Sequence, residues 1–134
     1  MSMSRVSVSI RLLFTLCLLA ASFNHLRAAL DHGLLWDYGY GADTPLASRA
    51  FWGALSFFDP LAALLLWVRP RWGLVLTLAI IVLDVVHNSF YVAAHSQWLE
   101  TFYLSQAGFG LAVLVLLPLA WRGLGSTPES KRVY

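Results

Sequence analysis

The stretch from Gly73 to Ala94 reads GLVLTLAIIVLDVVHNSFYVAA, and it decides the fold class. A helix needs about 20 mainly apolar residues to cross a bilayer, and this run supplies them. In lipid, backbone groups are satisfied only within helices or closed barrels. Because the run lacks the two-residue alternation of a barrel strand, it is predicted to be a transmembrane helix.

Three similar runs flank this stretch, so the sequence predicts more than one membrane span. The composition agrees: 59% of residues are hydrophobic and 12% are charged, whereas soluble domains carry about 25% charged residues. We therefore predict an all-α membrane protein, a bundle of four transmembrane helices within residues 1–121. The predicted spans cover about residues 10–30, 50–68, 73–94 and 102–121.

The segments between and after the spans are polar. Residues 31–49 contain three glycines and one proline, which favour turns. We interpret them as an external loop and leave open a short interfacial helix. Residues 122–134 lack the apolar content to form a core and are predicted to be a disordered cytoplasmic tail.

The distribution of charge predicts the orientation of the bundle. Cytoplasmic loops carry an excess of Lys and Arg, and tryptophans concentrate at membrane interfaces. Basic residues mark one side, and tryptophans lie near the span ends. The basic residues are Arg5, Arg11, Arg69, Arg71, Arg122, Lys131 and Arg132, and the tryptophans are Trp52, Trp67, Trp72, Trp98 and Trp121. Both termini are predicted to be cytoplasmic. The excess of Arg over Lys favours a bacterial inner membrane.

An alternative topology starts from the N-terminus. Arg5 and Arg11, a short apolar core and small residues such as Ala28 and Ala29 also fit a signal peptide. Cleavage would leave three spans and an external N-terminus. The sequence leaves both topologies open.

Polar residues inside the spans are the clearest functional signal. Asp84, His87, Asn88 and Tyr91 are spaced so that they share one face of a helix, with His95 further along. Charged residues at a helix centre cost about 2.5–3.5 kcal/mol and usually face a bundle interior or water. We therefore predict that this face points into the bundle.

The positions of the polar residues along their spans predict a pocket in the outer half of the bundle. Asp59 lies near the centre of the second span, and His25 lies in the outer half of the first. The loop with Trp36, Asp37, Tyr38 and Tyr40 is placed to cover the mouth. The predicted ligand-binding residues are Asp59, Asp84, His87, Asn88, Tyr91 and His25.

Structural roles compete with this interpretation. Pro60 cannot donate to the carbonyl of Ser56, so the second span is expected to kink or break, with Asp59 capping the following half-helix. Asp84 and His87 alternatively form a buried pair that fixes helix packing. Arg27 is expected to pair with Asp31 or to extend to the interface.

Several other chemistries lack a motif in this sequence. The single cysteine, Cys17, excludes an intrachain disulfide, and no dense metal-ligand spacing is present. We predict no metal and no cofactor. The small net charge of +2 and the scattered basic residues predict no nucleic-acid partner.

The layout resembles the EXPERA group, which includes emopamil-binding-like sterol isomerases. The resemblance rests on Asp31 after the first span, Asp59-Pro60 in the second and His87 in the third. It implies four core spans and acidic pocket residues that bind cationic amphiphiles or stabilise a sterol carbocation. The closer likeness is to small bacterial membrane proteins without a known activity.

Three functions remain open at this point. The first is binding of a small amphiphilic or lipid-like ligand, with the lipid bilayer as the surrounding partner. The second is a membrane enzyme that uses Asp and His in acid–base chemistry, as in an isomerase. The third is a structural or accessory subunit, in a homo-oligomer or with a partner membrane protein.

Overall fold

The computed structural model describes residues 2–125, which form four helices joined by short connections. They are α1 (Met3–His32), α2 (Leu46–Val68), α3 (Pro70–His95) and α4 (Thr101–Gly125). Each helix is long and apolar enough to cross a membrane, and the described residues contain no strand. The predicted all-helical architecture, with four helices long and apolar enough to span a membrane, is confirmed.

The four helices form a ring in which each packs against two neighbours. Helix α1 contacts α2 and α4, and α3 contacts the same two helices from the opposite side. Short connections make successive helices antiparallel, as in other up-and-down bundles. The ring therefore has two ends. The loop end carries the connections 33–45 and 96–100, and the terminal end carries Ser2, Arg69 and Gly125.

The half of the bundle at the terminal end is tightly packed. Phe14, Leu66, Leu74 and Val113, one from each helix, are fully buried there. Phe14 meets Phe109 edge to face, with ring centroids 5.8 Å apart. This half therefore has a continuous apolar core from all four helices.

Close contacts also join α1 to α4 near the terminal end. The Ser7 hydroxyl donates to the carbonyl of Ala120 at 2.8 Å. Gly123 lies so close to Met3 that a Cβ at this position would overlap the Met3 backbone. Only a residue without a side chain allows the two helices to approach this closely.

The connection between α2 and α3 is a single residue, Arg69. Pro70 then occupies the first turn of α3, where its missing N–H costs nothing. Gly73 packs against the end of α2, and a Cβ there would lie 2.6 Å from the carbonyl carbon of Leu65. This tight turn holds α2 and α3 side by side.

A buried arginine completes the end of α2. Arg11 of α1 donates from Nη1 to the carbonyl of Leu66 at 2.8 Å, and its guanidinium lies 5.0 Å from the Trp67 ring centroid. Carbonyls in the last turn of a helix lack partners within that helix. The positive charge of Arg11 also suits the negative end of the α2 dipole.

The connection of residues 33–45 consists of successive turns over the loop end. Its turns are closed by backbone hydrogen bonds such as Tyr40 N to Asp37 O at 3.1 Å. Leu34 crosses α2 at Gly53, where a Cβ would collide with the Leu34 carbonyl oxygen. The interfacial helix that the sequence left open does not form, because Gly33, Gly39 and Gly41 have positive φ angles.

The helix boundaries differ from the predicted spans mainly at their ends. Helix α1 starts seven residues earlier than predicted, at Met3, and α4 continues to Gly125. Polar residues near the ends do not stop a helix, so hydropathy alone underestimates its length. The rest of the predicted tail lies outside the described residues.

Two local predictions have clear outcomes. The break at Pro60 does not occur, because α2 is continuous from Leu46 to Val68, so Asp59 lies within a helix and caps no second one. The expected pair of Arg27 and Asp31 is confirmed, with Nε and Oδ2 3.7 Å apart.

Candidate functional site

A cavity of about 840 Å³ occupies the bundle half at the loop end. All four helices and the 33–45 connection contribute to its wall. The lining residues are Cys17, Leu18, Ala20, Ala21, Asn24, His25, Tyr38, Gly39, Tyr40, Trp52, Asp59, Ile80, Ile81, Asp84, Asn88, His95, Gln97, Thr101, Phe102, Ser105, Gln106 and Phe109. The Phe14–Phe109 pair lies at the boundary between the cavity and the packed half.

One wall carries a hydrogen-bonded cluster centred on Asn88 of α3. Its amide nitrogen donates to Asp84 Oδ1 and to Gln106 Oε1, both at 2.9 Å. Its amide oxygen accepts from Nε1 of Trp52 at 2.8 Å. Asn88 thereby links α2, α3 and α4, and its bond to Asp84 fixes that carboxyl group against the cavity wall.

A second polar chain joins the 33–45 connection to α1 and α2. The hydroxyl of Tyr38 and Nδ1 of His25 share a hydrogen bond of 3.0 Å. Nε2 of the same imidazole lies 3.7 Å from Oδ2 of Asp59. Asp59 is buried, with only 2% of its surface exposed. Tyr38, His25 and Asp59 thus form a continuous line from the connection into the bundle.

Tyr38 adopts an uncommon backbone conformation to reach this position. Its φ is 53°, in the left-handed region that large side chains rarely occupy. Burial, together with the carboxyl groups of Asp84 and Asp59, raises the pKa of Tyr38 to about 12. The phenol therefore stays protonated at neutral pH and keeps a hydrogen available for a partner.

Tyr40 closes the top of the cavity next to Tyr38. Its hydroxyl donates to Gln97 Oε1 at 2.8 Å, which ties the 33–45 connection to the link between α3 and α4. Its ring lies 4.8 Å from that of Tyr91 and 4.9 Å from that of His95. The aromatic connection therefore covers the cavity at the loop end.

The structure divides the residues predicted for the site into two groups. Asp59, Asp84, Asn88 and His25 line the cavity together, as the sequence-based hypothesis requires. His87 and Tyr91 do not line it; both turn toward α2. The predicted polar face of α3 is therefore split between the cavity and the α2–α3 contact.

The contacts of His87 and Tyr91 explain this split. The His87 ring lies 4.7 Å from that of Phe51 and 5.4 Å from that of Trp52. The Tyr91 hydroxyl donates to Ser48 Oγ at 2.6 Å. The proposed Asp84–His87 pair does not form, and Nε2 of His87 is buried without a hydrogen-bond partner among the described residues.

Sequence reasoning missed several residues of the cavity wall, and three of them carry polar or reactive groups. Trp52 was assigned to an aromatic belt, but it is 4% exposed and bonds to Asn88. Gln106 was not singled out, although a glutamine inside an apolar span is a signal in itself. Cys17, which the sequence analysis considered only for disulfide formation, also lines the cavity.

The cavity suits an organic molecule better than a metal ion. Within residues 2–125, no three His, Cys, Asp or Glu side chains lie close enough to hold a metal. The wall is mainly apolar with a few convergent polar groups, which is typical of small-molecule sites. None of its lining residues is Lys or Arg, so its two carboxyl groups lack a basic side-chain partner other than His25.

Comparison with known proteins adds no assignment. No protein-family model, curated protein or solved structure matches the chain. The resemblance to the EXPERA group therefore gains no support, and the function has to be argued from the geometry of this cavity.

Proposed function

We propose that the chain is a multi-pass membrane protein that binds a small amphiphilic ligand in the cavity at the loop end. The outer surface of the helices supports insertion, since it presents large apolar side chains such as Leu16, Phe57, Phe90 and Leu111. By the distribution of basic residues, the loop end faces away from the cytoplasm and both termini face toward it.

One observation carries the proposed binding function. Asp59 and Asp84 are buried in the wall of an otherwise mainly apolar cavity of about 840 Å³, without Lys or Arg. Burial of a carboxylate without an opposite charge is costly, and a cation at that position offsets the cost. The ligand that fits is an amphiphile with a basic amine head and an apolar tail.

The arrangement also explains how such a head would be held. Asn88 fixes Asp84, and His25 lies beside Asp59, so both carboxyl groups have defined orientations before a ligand arrives. Preorganised groups lose little conformational freedom on binding. The apolar remainder of the wall is available for the tail.

Acid–base catalysis is a second candidate, favoured by the line of Tyr38, His25 and Asp59. An imidazole hydrogen-bonded to a tyrosine and close to a carboxyl group can transfer protons to or from a bound molecule. Conversion of a bound amphiphile that is lost in His25→Gln, while binding persists, would favour the enzyme over a binding protein.

An accessory role through partner helices has less support. If the polar groups within the spans bonded to partner helices, they would have to lie on the outer surface of the bundle. Here Asp59, Asp84 and Asn88 are buried and face the interior.

Native mass spectrometry of the full chain in mild detergent tests the binding proposal. Three probes with the same tail are compared: dodecylamine, dodecanol and dodecanoate. The amine should bind best and the carboxylate worst. Asp84→Asn should weaken amine binding by at least about tenfold, which is about 1.4 kcal/mol.

The matched control for Asp84→Asn is Asp43→Asn, at an exposed position of the connection. This variant should bind dodecylamine like the wild type. Equal binding of all three probes, or an unchanged affinity of Asp84→Asn for the amine, would contradict the proposal.

A further inference from the structure

The outer wall of the cavity between α1 and α4 differs from its other sides. Four α1 residues that line the cavity recur at helical spacing on one face: Cys17, Ala20, Ala21 and Asn24. Four α4 residues do the same with the same spacing: Phe102, Ser105, Gln106 and Phe109. The two faces lie on opposite sides of the same space.

Several of these lining residues are also highly exposed. Ala20 and Asn24 of α1 and Phe102 and Ser105 of α4 are exposed, although each contributes to the cavity wall. Such a combination of high exposure and a lining position is expected where a cavity opens to the surface. We name this opening, bordered by Ala20, Asn24, Phe102 and Ser105, the lateral cleft.

The other three helix pairs are tied together in the same half of the bundle. Helices α2 and α3 are joined by the Tyr91–Ser48 hydrogen bond at 2.6 Å. Helices α3 and α4 are joined by a hydrogen bond of 2.8 Å between the hydroxyls of Ser89 and Tyr103. Helices α1 and α2 are in contact through His25 and Asp59, whose Nε2 and Oδ2 atoms lie 3.7 Å apart.

The α1–α4 pair is held at the opposite end. Its described hydrogen bond joins Ser7 to Ala120, and its described ring contact joins Phe14 to Phe109. The two helices are thus fixed at the terminal end. In the loop-end half, the facing side chains of α1 include Cys17, Ala20 and Ala21, and their small size leaves the space between the two helices open.

We infer that the lateral cleft is the entrance of the site and the binding place of the ligand's apolar tail. This inference rests on the proposed function. A bilayer would surround the cleft with acyl chains, so an amphiphile can enter sideways while its tail stays in an apolar medium. The head then reaches Asp59 and Asp84, and the tail, a single alkyl-type chain, lies between the faces of α1 and α4.

The position of the connection agrees with this route. Tyr38 and Tyr40 cover the cavity from the loop end, and the Tyr40–Gln97 bond holds that cover in place. Entry through water would have to break this contact, whereas entry through the cleft breaks none of the described hydrogen bonds.

Photochemical labelling of the full chain in phosphatidylcholine nanodiscs tests the cleft. The probe is a dodecylamine with a diazirine at the end of its tail, and adducts are mapped by peptide mass spectrometry. The expected adducts lie on the cleft-lining residues of α1 and α4. They should disappear with excess unlabelled dodecylamine and in Asp84→Asn.

Two substitutions that fill the cleft provide a second readout. Ala20→Trp and Ser105→Trp should each lower the competed adduct yield by about tenfold, because the indole ring occupies space that the tail requires. The matched control is Leu19→Trp, at a neighbouring position that is 48% exposed and does not line the cavity. It should keep the wild-type yield.

The outcomes separate failure of the cleft from failure of the binding site. Competed, Asp84-dependent adducts on Tyr38 to Tyr40, or yields unchanged by both Trp variants, would overturn the lateral cleft and leave the binding site standing. The absence of any competed adduct would overturn both.

Discussion

The two halves of this bundle use the same four helices in opposite ways. At the terminal end, Phe14, Leu66, Leu74 and Val113 fill the space between the helices completely. At the loop end, the same helices enclose about 840 Å³ and direct two carboxyl groups toward it. The difference suggests that stability is concentrated in one half, which leaves the other half free to bind.

Side-chain size accounts for much of this difference. Along α1, the inward face carries Ile10 and Phe14 in the packed half, whereas small residues such as Cys17 and Ala21 line the cavity beside Leu18 in the other half. Small residues leave a cavity where large ones would fill it. Cavities and buried polar groups generally lower stability, and proteins retain them where function requires them.

The largest expected effect compares one deletion in the two halves. Phe14→Ala should lower the free energy of unfolding by about 3–5 kcal/mol, because Phe14 is fully buried. Phe102→Ala, at a partly exposed residue of the cavity wall, should cost less than about 1 kcal/mol. Unfolding in mixed micelles measures both. Equal costs would mean that the loop-end half is as densely packed as the terminal half.

A smaller effect compares two glycines that lie against a backbone. Gly73→Ala places a Cβ against Leu65 and Leu66 of α2. Both helices there are held by the one-residue turn, so a loss of about 1–3 kcal/mol is expected. Gly53→Ala meets the carbonyl of Leu34, which belongs to a connection that can shift, so its loss should be smaller.

The Gly53 variant should instead alter ligand binding, because displacement of Leu34 moves Tyr38 away from His25. Gly108→Ala is the control, since no atom lies within 4 Å of its Cβ position. It should be neutral or stabilise the helix by up to about 1 kcal/mol. A Gly53→Ala protein that loses more stability than Gly73→Ala would show that the connection is the more rigid element.

The sequence was sufficient to predict the helices and which polar groups lie at a similar height along the bundle. Long apolar runs identify spans, and antiparallel helices of known order place Asp59, Asp84 and His25 at similar heights. The ends of the helices were harder to predict, because Pro70 starts α3 directly after the turn and Gly33 ends α1 through its positive φ. Such boundaries depend on local backbone geometry rather than on hydropathy.

The rotation of each helix about its axis was the part that the sequence could not supply. Asp84 and His87 are close in sequence and share a broad helix face, yet one lines the cavity and the other packs on α2. The part of this α3 face that lines the cavity ends between Asp84 and His87, and the rest packs against α2. Where it ends depends on how Trp52 and Phe51 of α2 pack against α3, and the spacing of residues along α3 carries no information about that packing.

The smallest expected effect concerns Tyr38 of the 33–45 connection, which covers the cavity at the loop end. Tyr38→Phe removes the hydrogen bond to His25 and should cost about 0.5–1.5 kcal/mol of unfolding free energy at neutral pH. In the folded wild type, the pKa of Tyr38 is raised to about 12 from its ordinary value of 10.0. Ultraviolet titration of phenolate should therefore show a step near pH 12 that the variant lacks.

The sign of the pH dependence follows from this raised pKa. Between about pH 10 and 12 the unfolded chain releases the Tyr38 proton and the folded chain retains it, so the wild type loses stability as the pH rises. The variant has no such group, and its stability deficit should shrink over the same range. A constant deficit, or superimposable titrations, would mean that water reaches the Tyr38 phenol and that the aromatic cover does not close the loop end.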